Sequence, residues 1–272
     1  MDMTVCIGLI CDSKKRAIVI ADRMITQEGI SVQFEHTESK IKKLAPNCLA
    51  LVSGSATICE DIFEPVISRF KRLKNVRISK IASEVAASYS QIRSKKIEEI
   101  HFRPRQLTMK WFYENQKKLN DGYIRSMDAT IEEFTFDEGS DFDVLVVGVD
   151  KDGAHIYTIN NPGTGNTLDG IGWGCAGNGF LHAESTIIAN KYSSKMPFKK
   201  ALYIAYCAKR HAEIAPGVGN NDTDIAYITE KGQCNFLSDK NKEHLKRLYD
   251  EMDIYRIQKE EEISRKLEKL IL

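Results

Sequence analysis

Thr4 heads an apolar run (residues 4–11), and a second apolar run (residues 17–21) ends in Asp22-Arg23. The polar segment Asp12-Ser13-Lys14-Lys15 between them predicts a turn, and so a β-hairpin near the amino terminus. One strand begins with a hydroxyl and the other delivers a carboxylate and a guanidinium. A threonine hydroxyl is a weak nucleophile and needs a base. A free α-amine, which titrates near roughly 8, can be that base if the threonine is the first residue of the chain. Met1-Asp2-Met3 precede Thr4. The hairpin therefore suggests an enzyme with an amino-terminal nucleophile that must first lose three residues.

Two other constellations carry less. Glu35, His36 and Glu38 lie in a polar loop without the i, i+4 spacing of a helical metal motif, and they read as a solvated loop. The glycine-rich run from Gly170 to Gly179 lacks the order of a phosphate-binding loop, and its Gly172, Gly174, Gly177 pattern follows no Rossmann-type strand. We therefore expect no cofactor and no metal. The seven cysteines are scattered, odd in number and free of C-x-x-C spacing. They predict small buried hydrophobes in a reducing cytoplasm rather than disulfides or a zinc site. A formal net charge of +1 argues against nucleic acid or a membrane surface as partner. Neither a span of roughly 20 apolar residues nor a secretory leader is expected.

The elements that must position these groups alternate in kind. Residues 40–44 and 48–53 predict two further strands around a turn at Pro46-Asn47, giving with the first two a four-stranded antiparallel meander. Ser55 or Thr57 caps a helix whose Ile58, Ile62, Val66 and Phe70 recur at helical spacing. A second helix covers residues 79–100, with a stripe of Ile81, Val85, Tyr89 and Ile92, and stops before Pro104. Residues 107–119 read as a short helix, and the segment 121–141 is ambiguous, holding either a strand at Thr130–Phe136 or part of another helix. Strands follow at 144–149 and 155–159, joined by a turn at Asp150-Lys151-Asp152-Gly153. Helices then cover 180–191 and 198–212, strands 224–229 and 234–237, and a charged amphipathic helix 239–272 that packs on the body or on a neighbouring subunit. This order predicts an α+β protein: two antiparallel sheets with helices outside them, a four-layer αββα sandwich, with residues 1–238 as one domain and 239–272 as a helical extension.

In this order, Thr4-Val5-Cys6-Ile7-Gly8, Ile20-Ala21-Asp22-Arg23, Ser39-Lys40-Ile41 and Leu51-Val52-Ser53-Gly54-Ser55 resemble the opening of a β-type proteasome subunit or bacterial proteasome-like protein, of the N-terminal-nucleophile hydrolase superfamily. Ala176-Gly177-Asn178-Gly179 and Asp224-Ile225-Ala226-Tyr227-Ile228 are similar to its later segments, so the resemblance spans residues 4–237. It implies a threonine-type peptidase with Thr4 as nucleophile and its α-amine as base. Lys40 would favour the neutral amine and the developing alkoxide, Asp22 would hold Lys40, the Gly54 N–H would serve an oxyanion hole, and Asn178 would assist the amine. It also implies a peptide or protein substrate, a homo-oligomeric ring and an ATP-dependent unfoldase as partner.

The sequence departs from the family at three places. Met3 stands where a cleaved propeptide has glycine. Asn178 replaces a serine. Residues 216–222 replace an Asp-x-x-Ser-Gly-Gly segment, leaving Asp222 as the substitute acid. These departures keep two alternatives open: a catalytically inactive proteasome-like scaffold that binds a partner, and a small-molecule amidase.

Overall fold

The computed structural model describes residues 4–27, 32–35, 39–54, 56–136, 142–220 and 222–271. Residues 1–3, His36, Glu38 and the candidate cap Ser55 lie outside the described residues, as do the side chains of Glu35 and Thr57. The protein is a mixed α+β structure with two five-stranded antiparallel sheets and, among the described residues, seven α-helices.

The first sheet has the order β10-β1-β2-β11-β12, built from β1 (Cys6–Cys11), β2 (Arg16–Asp22), β10 (Trp173–Ala176), β11 (Thr223–Ile228) and β12 (Cys234–Phe236). The second has the order β5-β6-β7-β8-β9, from β5 (Ile41–Ala45), β6 (Cys48–Ser53), β7 (Asp143–Asp150), β8 (Gly153–Asn160) and β9 (Thr164–Thr167). A separate hairpin joins β3 (Met24–Gln27) to β4 (Val32–Glu35). The expected four-stranded meander is thus corrected to two hairpins in different sheets. The free edge of β2 is taken by β11, from two hundred residues downstream, and β6 pairs on with β7.

Side chains of the central strands alternate between two cores, as the pleat requires. From β1, Ile7, Leu9 and Cys11 pack with Ala201, Ala205 and Ala208 of α6 (Phe198–Ala212) and Ala183 of α5 (Phe180–Ala189). Cys6 and Ile10 of the same strand instead join Leu49, Leu51, Leu145 and Val147 of the second sheet. Cys48, Ala50, Val144 and Val146 face α1 (Ala56–Phe70) and α2 (Ile78–Ile97); of their predicted stripes, Ile58, Ile62, Val66, Phe70, Ile81, Val85 and Tyr89 are buried and Ile92 is half-buried. Because β1, β2, β6 and β7 are buried on both faces, they read as continuous apolar runs.

A smaller apolar cluster forms where the ambiguous segment opens with a helix. This is α4 (Asp121–Glu132), which packs with α3 (Met109–Glu114) through Met127 and Phe112. Asn120 caps α4 by accepting the Gly122 N–H at 2.7 Å. The carboxy-terminal α7 (Asp239–Ile271) is unbroken. Among the described residues no helix is long and apolar enough to cross a membrane.

The β7–β8 turn is clamped by a histidine between two carboxylates. His155 Nδ1 lies 2.6 Å from Asp169 and Nε2 3.2 Å from Asp150, which also accepts the Ile78 N–H at the start of α2 at 2.8 Å. The Asp169 carboxylate holds the His155 imidazole above the usual histidine value, against the opposing effect of burial. A raised folded pKa contributes stability that is full below the unfolded value, near roughly 6.5, and is lost as pH rises through the folded value. His155→Gln is therefore expected to lower the urea midpoint more at pH values below about 6 than above about 9. The two differences should separate by about 1 kcal/mol, the surplus of a charged over a neutral hydrogen bond. Equal losses at both ends would refute the clamp.

Candidate active site

The strand register decides which groups meet at Thr4. In the β1–β2 hairpin Cys6 faces Ala21, so Asp22 falls beside Val5 at the end where Thr4 enters β1. On the other side of β1, Cys6 faces Ala176 of β10, so the turn that follows β10 falls beside the same end. Lys40 arrives from the second sheet, as the residue before β5.

The Thr4 hydroxyl donates to Asp22 Oδ1, and the Lys40 ammonium donates to the Thr4 hydroxyl. Lys40 also reaches both Asp22 oxygens, at 3.2 and 3.3 Å. Two backbone groups also donate to the carboxylate: the Val5 N–H at 2.9 Å and the Gly219 N–H at 3.1 Å. Such a donor set suits a carboxylate, which only accepts. Thr4 is 2% exposed and Asp22 0%, while the Lys40 side chain keeps 15% of its surface in contact with solvent. The hydroxyl thus sits between a cation that would stabilise an alkoxide and a carboxylate that orders the cation.

Three of the five expected residues, Thr4, Asp22 and Lys40, are therefore brought together. Gly54 closes β6 with φ +120°, and a side chain there would lie 2.7 Å from the Phe142 ring. Backbone conformation and the packing of Phe142 against Tyr89 and Phe136 thus both call for glycine at this position. Asn178 is exposed, and among the described residues its side chain makes no hydrogen bond. What the turn after β10 brings to Thr4 is backbone: the Gly179 N–H donates to the Thr4 carbonyl at 3.1 Å, and Gly177 lies against Thr4 with φ +85°. Asp222 is exposed just before β11. The Arg23 guanidinium turns away from Thr4 into a bidentate pair with Asp224, at 2.9 and 2.5 Å, and fastens β2 to β11.

Neighbouring groups define the electrostatics. The Cys6 thiol is pushed up to about 12 by burial, against the pull of Lys40, and donates to the Val52 carbonyl at 3.3 Å. A thiol held in its neutral form is a poor nucleophile. Lys209 of α6, with a side chain 0% exposed, pairs with Glu213 at 2.6 Å and lies within electrostatic reach of Asp22. Burial pushes its ammonium below the usual lysine value, and Glu213 and Asp22 oppose that shift. Lys209 escaped sequence reasoning, and Gly177 and Gly219 entered it only inside segments compared with the family, without a role of their own. The one available signal was a lysine set among Ala201, Ala205, Ala208 and Ala212 on an otherwise apolar helix face. No protein-family model matches the chain, and no curated protein matches it.

Proposed function

We propose that the protein is a threonine-type amide hydrolase, acting on peptides, whose nucleophile is Thr4 once residues 1–3 are removed. The observation that carries this reading is the convergence of Thr4, Asp22 and Lys40 at one end of β1. The two helix-to-sheet cores and the core joining the two sheets support an αββα sandwich of the N-terminal-nucleophile type. In the reaction Thr4 Oγ1 attacks the substrate carbonyl. The freed α-amine takes the hydroxyl proton and returns it to the leaving amine. Lys40 stabilises the alkoxide, Asp22 fixes Lys40, and the Gly54 N–H serves the oxyanion. Water then hydrolyses the threonyl ester.

In the chain as it stands the Thr4 nitrogen is an amide to Met3 and has no basicity. That fact, with the exposed Asn178, favours the second reading, an inactive scaffold, wherever processing does not occur. Intact mass and amino-terminal sequencing of the protein purified from its native host separate the two. The expected result is a chain starting at Thr4. A chain that always begins upstream of Thr4 would defeat threonine catalysis.

A further inference from the structure

We infer that Lys209 is a positioning residue of the Thr4 site: from inside the protein it holds the Asp22 carboxylate in place, and through Asp22 it acts on Lys40 and Thr4. The charge coupling between Lys209 and Asp22 stands by itself, while its effect on rate rests on Thr4 being the nucleophile.

Packing brings α6 behind the end of β1. A side chain at Gly179, whose N–H donates to the Thr4 carbonyl, would lie 3.0 Å from Ala212 of α6, 3.0 Å from Val218 and 3.1 Å from Val5. Lys209 precedes Ala212 by three positions and follows Ala205 by four, so all three share one helix face. That face packs with Val5, Ile7 and Ile20 of the first sheet. After Ala212 the chain turns tightly: the Ala215 N–H donates to the Ala212 carbonyl and the Val218 N–H to the Ala215 carbonyl. The next residue, Gly219, donates its N–H to Asp22. Lys209 and Asp22 therefore flank one junction, although 187 positions separate them.

Charge gives the lysine its reason. A buried ion pair can often be replaced by apolar residues without loss of stability, so the Lys209–Glu213 pair alone does not call for a lysine on an alanine-lined face. Glu213 is also shared. It accepts from Lys209 at 2.6 Å and pairs with Arg210 at 3.1 Å, which leaves these three groups with one positive charge in excess. The Arg210 guanidinium lies over the Tyr249 ring of α7, 5.4 Å from its centroid. The anions that act on Lys209 are Glu213 and Asp22. Charges thus alternate from Glu213 through Lys209, Asp22 and Lys40 to the Thr4 hydroxyl. Lys40 meets Asp22 from the solvent side, and Lys209 faces it from the interior.

A double-mutant cycle in urea tests the coupling in the full chain, processed or not. It is run in Glu213→Gln, so that removing Lys209 strands no carboxylate on α6. In that background Lys209→Met and Asp22→Asn together should weaken the folding equilibrium about tenfold less than the product of their separate effects, which lies in the range for coupled neighbours. Lys200→Met, exposed on the same helix, is the control and should combine with Asp22→Asn without coupling. In processed protein, Glu213→Gln/Lys209→Met should lose about tenfold in kcat for peptide hydrolysis relative to Glu213→Gln, at unchanged KM, as the coupling reappears in the barrier. Effects on folding that simply multiply would overturn the inference, whatever happens at Thr4. Coupling with an unchanged kcat would do the same, since Lys209 would then support the fold alone. A wild type that never exposes Thr4, or exposes it and cleaves no peptide, counts against threonine catalysis instead, and the urea cycle alone then decides the inference.

Discussion

Lys40→Met is expected to destabilise the protein by about 3 kcal/mol, the lower end of the range for removing one partner of a buried ion pair. The reason lies with the partner left behind. Asp22 has no exposed surface, and its carboxylate would keep two backbone N–H groups and the Thr4 hydroxyl but lose its only ammonium among the described residues within hydrogen-bonding distance. The 15% exposure of the Lys40 side chain admits some water and keeps the loss at the lower end. Lys43→Met, on the exposed side of β5, is the control and should change stability by no more than about 0.5 kcal/mol. Adding Asp22→Asn to Lys40→Met should cost less than the sum of the two single changes, because the charge stranded by the first is removed by the second. Urea denaturation of the four variants at neutral pH reads this directly. In processed protein the same Lys40→Met should lower kcat/KM by about 10²- to 10⁴-fold, the range for a group that stabilises developing charge. Lys40→Arg should rescue little of it, since a planar fork does not reproduce a point donor to a hydroxyl. Equal urea midpoints for Lys40→Met and Lys43→Met would remove Lys40 from the site.

How much of this was readable beforehand depends on sequence distance. The β1–β2 hairpin and α6 were legible because each is a local pattern: two apolar runs around a polar turn, and a 3.6-residue repeat from Phe198 to Ala212. The neighbourhood of Thr4 and Asp22 follows from that hairpin alone. Lys40 does not. Its approach crosses from one sheet to the other, and only a resemblance suggested it. Strands β9 and β10 were missed because Thr164–Thr167 and Trp173–Ala176 are short and rich in glycine or polar residues. They are edge strands held by the register of β8 and β1 rather than by their own propensity. Gly54 was read for its N–H, while the structure gives the residue a packing reason in Phe142, eighty-eight positions away. Gly219 and Lys209 approach Asp22 across nearly the whole chain, and no local signal encodes such a contact.

Gly177 shows how backbone can carry the site. Its φ of +85° belongs to the left-handed region, and an added Cβ would lie 2.5 Å from both the Thr4 methyl and the Thr4 carbonyl oxygen. The second of these is backbone, already engaged by the Gly179 N–H, so it cannot rotate away as a side-chain end would. Gly177→Ala must therefore shift either the turn after β10 or Thr4 itself. Left-handed strain and overpacking together predict a loss of about 2–4 kcal/mol. The displaced threonine is the more telling effect. A shift of about 1 Å in a reacting group can cost about 10²-fold in rate, so processed Gly177→Ala should lose that much in kcat even under conditions where it remains folded. Gly170→Ala, in the same glycine-rich run, has open space where its Cβ would go and should match the wild type in both stability and rate. Paired urea melts and peptide hydrolysis assays of the two variants make the comparison. If Gly177→Ala behaves like Gly170→Ala, the turn after β10 does not seat Thr4. If it is destabilised but keeps the wild-type kcat, the turn supports the fold and Thr4 is not the reacting group.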